Sequence, residues 1–101
     1  MQSELHGKST RLDTVFDALS SAYRRRLLSE LLNGECDLHD FTRRLKGEYG
    51  GERKHIELAL YAIHLPKLDE LELVEWHEGT DEVRRGDRFR DVRPILERFE
   101  S

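Results

Sequence analysis

A chain of 101 residues with 17 basic and 21 acidic side chains, 37% apolar and 38% charged, has the size and balance of one domain with a modest core. It holds no run near the ~20 apolar residues that a membrane helix needs, and residues 1–8 lack the basic-then-apolar layout of a secretory leader. A single cysteine, Cys36, excludes an internal disulfide and points to the reducing cytoplasm, while a formal net charge of -4 runs against the basic balance of a nucleic-acid binder.

Residues 1–10 are polar and aperiodic and are expected to be a flexible lead-in. A domain is expected over 11–86, with a C-terminal helical segment over 87–101. A first helix, capped by Ser9 or Thr10, carries Leu12, Val15, Phe16 and Leu19 on one face. Ser20 or Ser21 caps a second helix whose Tyr23, Leu27, Leu28, Leu31 and Leu32 point inward. Arg24, Arg25 and Arg26 are expected mostly on its other side, and Asn33-Gly34 stops it. Cys36 to Leu38 suggests a stub of strand, and Asp37 caps a third helix with Leu38, Phe41 and Leu45 inward. Lys46 to Gly51 reads as a glycine-rich turn, longer than that of a minimal helix-turn-helix.

A fourth helix starts at about Glu52, with Ile56, Ala59, Leu60 and Ile63 at i, i+3, i+4 and i+7 facing the core. Pro66 predicts a kink or a fresh short helix. Leu73–His77 and Glu82–Arg85 read as two strands around a turn at 78–81, with Gly79 supplying the permissive backbone. A last helix, about 91–100, spaces Val92, Ile95, Leu96 and Phe99 helically. The whole pattern predicts an α+β fold, mostly α: a winged helix-turn-helix with a two-stranded β-wing and a C-terminal dimerisation helix.

Two stretches, L-D-T-V-F-D-A-L-S-S-A-Y-R-R-R-L-L-S-E-L (Leu12 to Leu31) and H-L-P-K-L-D-E-L-E-L-V-E (His64 to Glu75), resemble small winged-helix domains of halophilic archaea. These lie near the arsenic-repressor-like transcription regulators, and the resemblance covers about Leu12 to Val83. It implies a winged-helix fold, dimerisation and a role in transcription. In the family a glycine often precedes the "L-V" of the strand, whereas this chain has Glu72, so the helix end must close without the αL glycine. Only four of the 17 basic residues are lysine, a bias that suits concentrated salt.

The candidate partner is double-stranded DNA, met by a recognition helix over about 52–65 and a wing over 73–85. The phosphate donors expected are Arg43, Arg44, Arg53, Lys54, Arg84, Arg85 and Arg88, and Glu57 and Tyr61 of the recognition helix complete the candidate DNA contacts, Tyr61 by stacking or by reaching a phosphate. The first turn of the recognition helix adds unpaired N–H groups that favour phosphate. The competing account is that paired arginines merely solvate an acidic protein.

The recognition helix itself raises an objection. Opposite its core face lie Lys54, Leu58, Tyr61, Ala62 and Leu65, a largely apolar set where base reading needs Arg, Asn, Gln, Ser or Thr. A protein partner on the Leu58/Tyr61/Leu65 face is the alternative. Dimerisation is assigned to Leu12, Val15, Phe16, Val92, Ile95, Leu96 and Phe99, against the option that the last helix folds back on its own first helix. Cys36 and His39, with His64 and His77, match tetrahedral zinc poorly. No nucleophile–histidine pairing or phosphate loop suggests catalysis, and no cofactor is expected.

Overall fold

The computed structural model describes residues 12–100, and side chains as far as residue 98. The proposed caps Ser9 and Thr10, the lead-in 1–10 and the side chain of Phe99 lie outside the described residues. Helix α1 covers 12–19. Two serines separate it from α2 (Ala22–Leu31), whose cap is Ser21, its hydroxyl accepting from the Arg24 N–H. Strand β1 (Cys36–Asp37) leads directly into α3 (Leu38–Tyr49), and the Asp37 carboxylate caps that helix by accepting from the Asp40 N–H at 3.0 Å.

Helix α3 does not stop at Lys46 as the glycines suggest. It runs through Gly47 to Tyr49 because its last turn is tied to α2: Arg26 grips Glu48 at 2.9 Å, and Tyr49 packs on Tyr23 with ring centroids 5.7 Å apart. These contacts outweigh the roughly 1 kcal/mol that an internal glycine costs a helix. The link to the next helix is then only residues 50–52, and Gly50 and Gly51 turn it at φ 75° and 85°. A tight turn replaces the long one expected.

Helical backbone then runs unbroken from Arg53 to Glu70 as α4 (Arg53–Ala59), a π-turn (Leu60–His64) and α5 (Leu65–Glu70). Pro66 explains the π-turn. In α geometry its ring would strike the carbonyl of Ala62, and it has no N–H to offer that carbonyl. Widening the turn, so that the Leu65 N–H bonds Leu60 O five residues back, relieves the clash. The inserted residue rotates everything that follows. Ile56, Leu60, Leu65 and Leu68 are buried, while Ile63, expected in the core, is 58% exposed. Leu65, expected outside, is fully buried.

The end of α5 closes without glycine. Glu72 takes φ 63°, its N–H bonds Asp69 O, and the Leu73 N–H reaches back to Leu68 O, both at 3.0 Å. This is a Schellman closure, with its customary apolar contact supplied by the fully buried Leu68 and Leu73. Strands β2 (Val74–Trp76) and β3 (Glu82–Arg85) follow. The hairpin β2-β3 takes up the stub β1 at its edge, giving a three-stranded sheet in the antiparallel order β1-β3-β2: Cys36 pairs with Val83, and Trp76 pairs with Val83 from the other side.

After β3 the chain presses on the end of α5. A side chain at Gly86 would put its first carbon 2.4 Å from Glu72 O, and the N–H groups of Gly86 and Arg88 bond Leu73 O and Glu72 O. A 3-10 turn (Phe89–Asp91) then delivers α6 (Arg93–Glu100) onto α2. One core, centred on Leu27, Leu31, Phe41, Leu60, Leu65 and Val83, joins every layer. The result is α+β, mostly helical, with a small antiparallel sheet. No helix among the described residues is long and apolar enough to cross a membrane.

The helix end gives a paired prediction. Glu72→Gly removes the left-handed penalty and is expected to stabilise the fold by about 0.5–1 kcal/mol. Gly86→Ala drives a methyl group into backbone and is expected to destabilise by about 2 kcal/mol or more. Urea unfolding of the three proteins checks both signs.

Candidate nucleic-acid interface

The tight turn at 50–52 sets α4 against the end of α3, and the basic residues expected to meet phosphate gather there and on the hairpin. Nearly all already hold a partner. Arg43 pairs with Asp40, and Arg44 spans Glu30 (2.7 Å) and Asp40 (3.6 Å). Arg53 bonds Glu57 at 3.0 Å and touches His39 Nδ1 at 2.7 Å. On the hairpin, Arg84 lies between Glu35 and Glu82, and Arg88 pairs with Asp91. Arg85 turns back into the body, donates to Leu31 O and Leu32 O, and lies 5.7 Å above the Phe89 ring. Lys54 alone of the nine proposed DNA contacts is a cation with no ion pair or side-chain hydrogen bond among the described residues.

The rod offers a defined outer row. Lys54, Leu58, Ala62, Pro66 and Glu70, four residues apart, are all exposed, and Leu58 shows 65% of its surface. A four-residue step overshoots a 3.6-residue turn by about 40°. The wide π-turn absorbs that drift, so Leu58, Ala62 and Pro66 stand in line. Tyr61 leaves this row: half-buried, it packs on Trp76 of β2 with centroids 6.0 Å apart. Burial first, and then the nearby carboxylates of Asp81 and Glu57, raise its hydroxyl pKa, while Arg53 acts the other way. Of the apolar face expected from Leu58, Tyr61 and Leu65, only Leu58 is fully available.

The residues assigned to dimerisation divide as well. Val15, Val92 and Leu96 are buried in the chain's own core, because α6 docks on α2. Leu12 and Phe16 remain exposed, at 57% and 69%, and Ile95 edges a shallow apolar groove with Val15, Phe16 and Leu19.

One structurally central side chain is not where the sequence suggests. Arg24, expected outside, is 8% exposed. It donates to Asp17 O (2.7 Å), Ala18 O (3.3 Å), Ser20 Oγ (2.9 Å) and His64 Nδ1 (3.0 Å), stapling the α1–α2 corner to the π-turn. Asp17 adds a second tie, meeting Lys67 at 2.9 Å. The sequence does carry a signal for it: Arg24, Leu27, Leu28 and Leu31 form one i, i+3, i+4, i+7 stripe.

The chain belongs to the family of the domain of unknown function DUF7344, whose model matches residues 16–84. The matched span runs from α1 to β3 and contains the Arg24 staple, the π-turn and the hairpin. No curated protein and no solved structure matches the chain. Cys36 lies within this span, buried, its thiol pushed up to about 12 by burial and by Glu30. Among the described residues no three His, Cys, Asp or Glu side chains gather as a metal site.

Burial first, and then the Arg24 charge, lower the His64 pKa below its ordinary 6.5. The unfolded chain therefore binds the His64 proton more readily than the folded one. Stability is expected to fall as pH drops through about 6.5, and His64→Gln, which still accepts from Arg24, should remove that part of the slope. Denaturation midpoints at pH 7.5 and 5.5 check this. Arg24→Ala takes the side-chain donor from the buried Ala18 carbonyl and cuts the tie to His64, and is expected to destabilise by about 2–3 kcal/mol at either pH.

Proposed function

We propose that this chain is a winged helix-turn-helix that binds duplex DNA as a dimer and regulates transcription in the cytoplasm, with no catalytic step and no cofactor. The element order supports the reading: α2, β1, α3, a three-residue turn, the rod α4–α5, then a hairpin whose return strand pairs with β1. The observation that carries it is the solvent-facing row of the rod from Lys54 to Glu70, which opens at the basic pair Arg53 and Lys54. In this reading α4 enters the major groove, the hairpin lies along the backbone, and Leu12, Phe16 and Ile95 pair two copies.

The occupied arginines do not oppose it. Exposed ion pairs contribute roughly 0–1 kcal/mol, so exchanging a carboxylate for a phosphate is inexpensive. They do make the contact dependent on counterion release. Duplex affinity, measured by fluorescence anisotropy, is expected to fall steeply with salt. Arg53→Ala with Lys54→Ala should weaken it about tenfold and flatten the log–log salt slope by about 2. Leu58→Ala should leave it unchanged. Binding indifferent to salt and to the double substitution would refute the reading.

A second reading has its own observation. Leu58, Ala62 and Ile63 leave the middle of the rod apolar and exposed, so this face also suits protein contact. Under it, Leu58→Ala breaks a complex, and neither a salt-steep duplex affinity nor its loss on the double basic substitution is seen.

A further inference from the structure

The outer row of the rod is complementary to itself when reversed. Read from Ala62 outward, Leu58 and Pro66 lie four residues to either side, His55 and Asp69 seven, and Lys54 and Glu70 eight. All six are exposed, and His55, Asp69, Lys54 and Glu70 hold no ion pair or side-chain hydrogen bond among the described residues. The arginines nearby are mostly matched within the chain, as Arg53 is with Glu57. The unmatched charges frame the apolar centre, basic at one end and acidic at the other.

We propose that this ridge docks against the same ridge of a second copy of the chain, antiparallel, with Ala62 on the two-fold axis. The inference rests on the reading of this face as a protein contact. Each Lys54 then meets the partner's Glu70, each His55 the partner's Asp69, and each Leu58 packs on the partner's Pro66. A two-fold contact requires such self-complementarity, because residue i meets residue j at both ends. Ala62 suits the axis, since a small side chain lets two helices approach closely. Lys54 and Glu70 stand about 24 Å apart along a helix at 1.5 Å per residue, so the charges bracket some four turns of contact. One ridge buries less than the ~1,000 Å² of a stable interface, so the pair is weak and exchanges quickly.

The test is symmetric disulfide trapping of the full chain carrying Ala62→Cys, oxidised with glutathione disulfide at about 0.1 M salt, where surface charges are felt over roughly 10 Å. The native Cys36 is buried, so the unsubstituted chain supplies the blank. A cross-linked dimer is expected. Adding Lys54→Glu, or Glu70→Lys, should cut its yield about five- to tenfold, since two attractions become repulsions. Mixing those two variants, or combining both changes in one chain, should restore it. No dimer above the blank, or a yield indifferent to charge reversal, overturns the proposal. A duplex that then shields the introduced thiol from maleimide would overturn the protein-contact reading too. Absence of shielding would leave that reading to a different partner.

Discussion

The molecule is organised by the meeting of Pro66 with the helix it interrupts. A proline inside a long helix normally bends it sharply or ends it. Here the strain is taken up by one extra residue in a π-turn, and the rod stays continuous from Arg53 to Glu70. The rotation sends Leu65 and Leu68 into the core in line with Ile56 and Leu60, while Ile63 is turned out. The same rotation aligns Leu58, Ala62 and Pro66. Core and outer ridge are therefore consequences of a single imino acid, and His64, the last residue of the wide turn, is where Arg24 fastens it to the neighbouring helices.

Charge is distributed with a comparable economy. With 21 acids to 17 bases the surface carries net negative charge, yet most of the arginines around the rod and the hairpin face a carboxylate within the same chain. Such pairs add little stability in water. Their effect is to leave few cations unmatched, Lys54 among them. A nucleic acid approaching this surface meets carboxylates that must move aside, so affinity depends on close contact at a few places rather than on a broad positive field.

Much of this is legible in the residues. Ser21 and Asp37 announce their caps, the Glu82–Arg85 strand is bounded as its alternation suggests, and the stub at Cys36 is real. What escapes the sequence has one cause each. A wheel of fixed 100° steps cannot represent a π-turn, so Ile63 and Leu65 exchange places. An arginine on an apolar stripe is expected to face water, although Arg24 reaches its carbonyls only from the inside. The glycines at 47, 50 and 51 look alike, and only the ties from Arg26 and Tyr23 distinguish the one inside α3 from the two in the turn. The apolar stripe of the last helix is plain in its spacing, but periodicity cannot say whose surface covers it. Val92 and Leu96 face their own α2.

The ties between α1 and the rod bear on how two copies could act together. Asp17 carries both Arg24 and Lys67, and Arg24 in turn holds His64, so α1 and the rod are joined by polar contacts at two successive levels. The exposed Leu12 and Phe16 lie on that same α1. If a pair forms through that face, the separation of its two rods follows from these contacts and not from a flexible arm. A reader of two half-sites needs such a fixed distance, about 34 Å for one turn of duplex. The buried arginine thus bears on any two-site function as the residues at the surface do, because removing it leaves only the Asp17–Lys67 level of this polar tie.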